Sequence, residues 1–291
     1  MPTFNRADKV ARAISSVLRQ TFSPYEIIVI DDGSTDGTMA SLSPFRNKIR
    51  IIRHSVNMGV SAARNSGIRA SRSPFVAFLD SDDHWMPEKL EIQTGYFKGN
   101  PGAVACQTEE IWIRKGLRVN PRKKHLKPSG DIFQQSLKLC LVSPSAVMLK
   151  KSIFDEVGLF DEELPVCEDY DLWLRISCRH PIALINRKLV VKEGGAPDQL
   201  STSLKGMDRF RIKALIKLLN SGRLDENQSR LVFRELEVKC RIYGEGCLKR
   251  GKGEEGDYYL SLPGKLSEIY ALFGFFPLDL PKSFSKPILN A

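Results

Sequence analysis

A chain of 291 residues, 42 % hydrophobic and 27 % charged, has room for one large α/β domain with an appendage, or for two small domains, and reads as globular. No run approaches the roughly 18 apolar residues that suggest a membrane span, no signal-peptide pattern opens the chain, and the six cysteines show no C-x-x-C spacing, which fits a reduced, cytoplasmic setting. A formal charge of +10 asks for an anionic partner such as nucleic acid, an anionic membrane or a phosphorylated substrate.

Taken in order, MPTFNRADK leads into a helix over 9–19, with Val10, Ile14, Val17 and Leu18 at helical spacing. Residues 27–30 then form a buried-type strand running into Asp31, Asp32 and a turn built on Gly33, Ser34, Asp36 and Gly37. Ligands of open parallel sheets sit beyond the carboxyl ends of strands, although an ordinary capped turn would look the same. A short helix near 39–42 and a strand over 49–53 follow. NMGVSAARNSGIRAS starts another helix, with Gly59 for a tight entry, Ser61 as N-cap and Arg64 near the terminus, where an arginine suits an anion or simply faces solvent.

The segment FVAFLDSDDHW is the centre of the pattern. Residues 75–79 read as a strand buried on both faces, and Asp80, Asp82 and Asp83 follow at once, which favours a bound cation or a raised pKa, or else a capped loop. A helix over 87–97 and strands over 103–113 and 145–149 complete an α/β sheet, mostly parallel in its first half. The densest basic stretch, 114–127, has one aromatic neighbour, Trp112, and no nucleic-acid motif, so it reads as a solvated loop first and an anion-facing surface second; no nucleic-acid partner is expected. In ELPVCEDYDLWLRIS, Glu168, Asp169 and Asp171 open a helix; Asp171 suits the helix dipole, and Glu168 and Asp169 are candidates for a catalytic base. From Lys205 onward basic helical periodicity takes over, through 207–219 and 229–248, and the end carries the apolar cluster Leu272, Phe273, Phe275 and Phe276, which packs on the body or touches a membrane.

Four segments together resemble the inverting, GT-A-fold glycosyltransferases of family 2: PTFNRA at 2–7, DDGSTDGT at 31–38, NMGVSAARNSG at 57–67 with FLDSDD at 78–83, and EDYDLWLR at 168–175. Each is weak alone; their order and spacing make the match. It covers roughly 1–203 and leaves 204–291 as a helical extension. The resemblance implies a Rossmann-like, mostly parallel sheet flanked by helices, with a nucleotide-sugar across the strand ends. Pro2, Thr3 and Arg6 would line the nucleotide pocket, Asp32 would accept a hydrogen bond from the base, and Arg64 would lie near the phosphates. Asp80 and Asp82 match the D-x-D pair, Asp82 as direct ligand of Mg²⁺ or Mn²⁺ and Asp80 toward the ribose or a metal-bound water. Asp169 matches the general base, with Glu168 beside it, and Trp173 shapes an acceptor or sugar pocket unless it is a core residue.

Two departures stand out. Relatives carry an apolar strand before the P-T-F-N-R segment, where only Met1 stands here, and a histidine where GGAPDQLS has Ala196. The expected activity is inverting transfer from a nucleoside-diphosphate sugar, UDP-sugar favoured, to a saccharide or lipid-linked hydroxyl in cell-surface polysaccharide or lipopolysaccharide assembly. The expected location is the cytoplasm, with the basic, apolar tail at the inner face of an anionic membrane. The rival readings are a nucleotide-sugar-binding module without turnover, and a sugar-nucleotidyltransferase, for which the glycine-rich basic loop is missing.

Overall fold

A computed structural model describes residues 1–120, 123–195 and 206–273. Ala196, Phe275 and Phe276, and the side chains of Leu272 and Phe273, lie outside the described residues. The chain begins with β1 (Pro2–Thr3) and α1 (Val10–Leu18), whose Val10, Ala13, Ile14 and Val17 recur at helical spacing and are all buried. β2 (Ile28–Asp31), α2 (Thr38–Leu42) and β3 (Arg50–Arg53) follow, then α3 (Val60–Ala70), β4 (Phe75–Ala77), β5 (His84–Trp85) and α4 (Lys89–Gly99). The long β6 (Ala105–Arg114) turns back through β7 (Leu117–Val119), and α5 (Phe133–Lys138), β8 (Val147–Lys150), α6 (Ile153–Val157), α7 (Glu168–Ser177) and β9 (Ala183–Gly194) complete the sheet region. Three helices close the described chain: α8 (Asp208–Leu219), α9 (Glu226–Leu248) and α10 (Gly253–Phe273).

The sheet is in two pieces. β1, β2 and β3 run parallel, with Pro2 opposite Ile30 and Ile30 opposite Ile52. The second sheet has the order β4-β8-β6-β9-β5, with β7 on β6; β6 and β9 are parallel and the other pairs antiparallel. The mostly parallel expectation therefore holds for the first piece only. β4 is the terminal strand of its sheet rather than a central one, and it stops at Ala77. β1, only two residues long, pairs with β2 alone. Between the pieces lies an apolar cavity of ≈ 510 Å³, bordered by Ile28 and Ile30 on one side and Val76, Phe78 and Leu79 on the other.

Local chemistry explains most boundaries. Gly33 sits at φ +75°, and a Cβ there would come 2.5 Å from the Val56 carbonyl carbon, so the turn after β2 requires glycine. The entry to α3 is capped by Gly59, at φ 93°, and Ser61, expected as N-cap, lies inside the helix. Asp225 and Gln228 form a capping box on α9, with the Gln228 N–H donating to Asp225 at 2.7 Å.

The three C-terminal helices are part of the core. One apolar cluster joins Tyr170 and Leu174 of α7 to Leu215 of α8, Leu236 and Tyr243 of α9, and Leu262 of α10. At about 1.5–3 kcal/mol for each large side chain removed from water, this contact fixes the back of α7. α10 runs on through Pro263, and no helix among the described residues is long and apolar enough to cross a membrane.

Candidate active site

The loop after β4 carries Asp80, Asp82 and Asp83, and α7 begins with Glu168 and Asp169. Arg64, on the second turn of α3, joins them. Its Nη2 donates to Asp80 Oδ1 at 2.8 Å and its Nη1 to Glu168 Oε1 at 2.5 Å, with the guanidinium 5.2 Å from the centre of the Phe160 ring. The Arg64 side chain is 4 % exposed, so these are buried charge-assisted bonds. Arg64 is expected near the nucleotide phosphates; the anions within its reach here are two of the candidate carboxylates.

The acids differ in what surrounds them. Burial works against ionisation of Asp80, yet the Arg64 charge and hydrogen bond hold its carboxyl below the usual range. Burial, with Asp169 beside it, pushes Glu168 up to about 7 against the pull of Arg64. Burial likewise raises Asp83 to about 8, although Lys192 opposes it. Asp83 Oδ1 accepts from the Glu193 N–H at 3.2 Å, while its Oδ2 has no partner. The Asp169 oxygens accept from the Tyr170 N–H at 2.7 Å and the Cys140 thiol at 3.4 Å, which fix the carboxylate at the helix start.

Sequence reasoning missed Lys192, Glu110, Ser145 and Cys140. Lys192 and Glu193 lie on β9, a strand not anticipated because ALINRKLVVKEG mixes charges into its apolar run. Burial disfavours the Lys192 ammonium, but Glu110, Asp83, Asp80 and Asp169 surround it and carry it above the ordinary lysine range. Glu110, buried against Lys127 at 3.1 Å, is brought down to about 2 by Lys127 and Lys192 in spite of its burial. Ser145 accepts from the Asp80 N–H at 3.1 Å and its carbonyl takes the Trp85 indole N–H at 2.8 Å, which fixes the acid loop to the floor of the sheet. The repeated Gly-Gly after Val-Val-Lys-Glu was the one signal that could have pointed to this strand end.

The remaining expected residues are placed as follows. PTFNRA and DDGSTDGT are knitted together: Asn5 donates its N–H to Ser34 Oγ at 2.9 Å, its Oδ1 accepts from the Thr35 N–H at 2.9 Å, and the Arg6 N–H donates to Thr38 Oγ1 at 2.8 Å. Pro2 and Thr3 are buried, and Thr3 Oγ1 has no partner. Asp32 is enclosed: Oδ1 lies 2.7 Å from His54 Nδ1 and accepts from the Met58 N–H at 2.9 Å, while Oδ2 accepts from the Gly59 N–H at 2.8 Å. It ties β2 to the entrance of α3, and most of the capacity that a nucleobase contact would need is already used. Trp173, expected either in an acceptor pocket or in the core, is 1 % exposed and packs edge-on to Phe160 at 6.3 Å, the core placement. Asp171 bonds Arg175 at 2.7 Å and Lys217 at 3.1 Å, tying α7 to α8 rather than capping the helix backbone.

Asp82 borders an open recess of ≈ 220 Å³ with Lys9, Lys115, Glu193 and Gly194, and Arg12 donates to the Asp82 carbonyl at 3.1 Å. Among the described residues no three His, Cys, Asp or Glu side chains converge as a closed metal cage. Asp80 and Asp82 nevertheless supply hard oxygen donors from a single turn, and that suits Mg²⁺ or Mn²⁺, which take one or two carboxylates and complete their shell with water and substrate phosphate.

The model of the family described as glycosyl transferase family 2 matches residues 1–158. An uncharacterized glycosyltransferase of Rickettsia felis is 34 % identical over 197 residues, covering 65 % of this chain and 31 % of that protein. This chain therefore spans about a third of the length of that relative. The UDP-Glc:alpha-D-GlcNAc-diphosphoundecaprenol beta-1,3-glucosyltransferase WfgD of Escherichia coli is 32 % identical over 187 residues, covering 64 % of this chain and 71 % of that one. Among solved structures, TarS 1–349 of S. aureus in complex with UDP-GlcNAc superposes with a TM-score of 0.63 at 16 % identity, covering 93 % of this chain and 90 % of that chain, a likeness of fold.

Proposed function

The chain belongs to glycosyl transferase family 2 and has the GT-A fold, and from that premise we propose that it transfers a sugar, with inversion, from a nucleoside-diphosphate sugar to a hydroxyl acceptor. The observation that carries the reading is the Arg64 fork, which joins the acid loop after β4 to the first turn of α7 through Asp80 and Glu168. Leaving-group and base functions must lie on opposite sides of one sugar ring, and Arg64 ties together the two segments that would supply them.

UDP is the favoured nucleotide and a lipid-linked saccharide the favoured acceptor, because WfgD is named for UDP-Glc and a diphosphoundecaprenol-linked acceptor and TarS was solved with UDP-GlcNAc. Asp82 and Asp80 would hold Mg²⁺ or Mn²⁺ jointly with the diphosphate; the metal, when bound, neutralises charge on the departing nucleotide. Asp169 is the base of this mechanism. It takes the proton of the acceptor hydroxyl as that oxygen bonds to the anomeric carbon and the bond to the diphosphate breaks from the opposite face. A positioned carboxylate contributes a factor of about 10² to 10⁴ in such a step. Glu168 is held by Arg64 and serves to place the helix start.

Asp169→Asn tests this directly. Transfer from a radiolabelled UDP-sugar to a lipid-diphosphate saccharide should fall by about 10² or more, with nucleotide-sugar binding, read by thermal shift, retained. Undiminished transfer would show that Asp169 is not the base. Binding of a nucleotide-sugar without any transfer by the unaltered chain would select the rival reading, a module without turnover.

A further inference from the structure

The hairpin of β6 and β7 turns at Lys115 and Gly116, both with left-handed φ (50° and 75°), the two-residue geometry whose twist matches its strands. Arg114 is paired with Leu117, and Ile113 with Arg118. All five residues from Arg114 to Arg118 are exposed, and Leu117, at 72 %, exposes more of its surface than any other large apolar side chain among the described residues. A second exposed leucine, Leu126 at 61 %, follows the single turn at Lys123–His125. That turn is held to the base of the hairpin by the His125 ring, 5.6 Å from Trp112. The chain beyond it is fixed by the buried Lys127–Glu110 pair and by Lys127 donating to the Thr108 carbonyl at 3.0 Å. Two leucines are thus presented to water beside residues held by these contacts.

Along the sequence the charge beside them has one sign. From Ile111 to Gly130 the sequence contains no Asp or Glu. Arg114, Lys115, Arg118 and Lys123 are exposed and make no ion pair among the described residues. Lys115 and Gly116 also border the recess that Asp82 lines, so this ledge is the rim of the candidate active site. Exposed leucines flanked by exposed Arg114, Lys115, Arg118 and Lys123 suit a surface that is apolar below and anionic at its face.

We propose that this ledge docks on an anionic lipid bilayer, with Leu117 and Leu126 entering the boundary between headgroups and acyl chains and Arg114, Arg118 and Lys123 facing lipid phosphates. The docking would bring the Asp82 recess to the membrane, where a lipid-linked acceptor carries its diphosphate, and in that respect it rests on the acceptor class proposed above. The described C-terminal helices pack apolar residues against α7 and leave Ile242, Leu248 and Leu260 exposed; the ledge is set apart from them by its cations, which make no ion pair among the described residues, and by its place at the rim of the Asp82 recess.

The test is co-sedimentation of the full chain with vesicles of phosphatidylglycerol in phosphatidylcholine, against vesicles of phosphatidylcholine alone, together with the variant Leu117→Ser/Arg118→Glu/Leu126→Ser. All three positions are exposed and lie outside the site, so the melting temperature and the thermal shift with UDP-sugar should be unchanged and show that the variant is folded. The unaltered chain should partition onto the anionic vesicles, weakly onto the neutral ones, and less as salt rises. The variant should partition at least about a hundredfold more weakly, at roughly fivefold for the basic side chain removed and about tenfold for each leucine. No partitioning, partitioning that the variant retains, or binding of a DNA duplex in place of vesicles would overturn the proposal. Vesicle binding without any response to UDP-sugars would sink the glycosyl-transfer reading and leave the docking surface standing; the opposite result would do the reverse.

Discussion

Arg64→Met is the substitution that asks most of the site. It removes a guanidinium whose side chain is 4 % exposed and leaves Glu168, whose side chain is 9 % exposed, without its cation. Asp80, 27 % exposed, keeps partial access to water, so the larger share of the cost falls on Glu168. A charge-assisted bond of this kind contributes about 1.5–3 kcal/mol, and breaking a buried pair on one side costs about 3–5 kcal/mol. Glu168 limits that cost by taking a proton. Its folded-state pKa is already raised to about 7 with Arg64 present, above the unfolded value of roughly 4.3. A raised carboxyl favours the folded state fully below the unfolded pKa and loses that advantage as pH rises through the folded one. Without Arg64 the folded value moves higher still, so the variant should lose about 3–5 kcal/mol at pH 8 and much less at pH 5. Urea unfolding at both values in EDTA measures this, with Arg64→Met/Glu168→Gln closing the cycle and recovering at least about 2 kcal/mol at pH 8. A loss under about 1 kcal/mol at pH 8, the size of an exposed pair, or a double variant no steadier than Arg64→Met, would refute the view that Arg64 is the buried link between the two acid segments.

Three further outcomes follow from the same geometry. Asp82→Ala should raise the Mn²⁺ concentration needed for half-maximal transfer by about tenfold or more, with UDP binding in EDTA unchanged; an unaltered metal requirement would remove Asp82 from the metal site. Burial lowers the Lys89 ammonium to about 7, below its unfolded value of roughly 10.4, so stability should rise with pH between them by about 1.5 kcal/mol from pH 7 to 8.5. Lys89→Met, which keeps the contact with Trp85, should flatten that rise in chemical denaturation. Gly33→Ala, at φ +75° with its Cβ 2.5 Å from a backbone carbon, should cost about 3 kcal/mol from strain and overlap together, read as a fall in the denaturation midpoint.

The features legible in the sequence were those set by neighbours along the chain. Val10, Ile14 and Val17 announced α1 because helical periodicity is local, and the acids after β4 were found because a strand end and three aspartates adjoin one another. What escaped depends on partners far apart in sequence. Trp173 in EDYDLWLR carries no mark that separates a core indole from a pocket wall; its position against Phe160 and the sheet decides. Asp32 looked open because the loop at 54–59 that encloses it begins more than twenty residues later. β9 was hidden by its charges, yet those charges are why it matters, since Lys192 is the cation set among Glu110, Asp83, Asp80 and Asp169.

That arrangement bears on the metal. Six carboxylates, those of Asp80, Asp82, Asp83, Glu110, Glu168 and Asp169, are gathered around the three cations Arg64, Lys127 and Lys192. The upward shifts of Asp83 and Glu168 are how such a surplus is relieved, by protonation where burial is deepest. Asp82, which borders the recess, lies at the open edge of this field. A diphosphate brought to that edge adds negative charge beside the carboxylates, where Arg12 is already paired with Glu193 and half-buried Lys9 and exposed Lys115 offer solvent-screened compensation. A divalent cation shared between Asp82 and the diphosphate reverses the sign of that encounter. On this reasoning, nucleotide binding without metal should be weak and strengthen as pH falls toward 6, whereas binding with Mn²⁺ should be tight and nearly flat over the same range. Calorimetric titration with UDP distinguishes the two, and tight, pH-independent binding in EDTA would show that the carboxylate surplus does not reach the nucleotide.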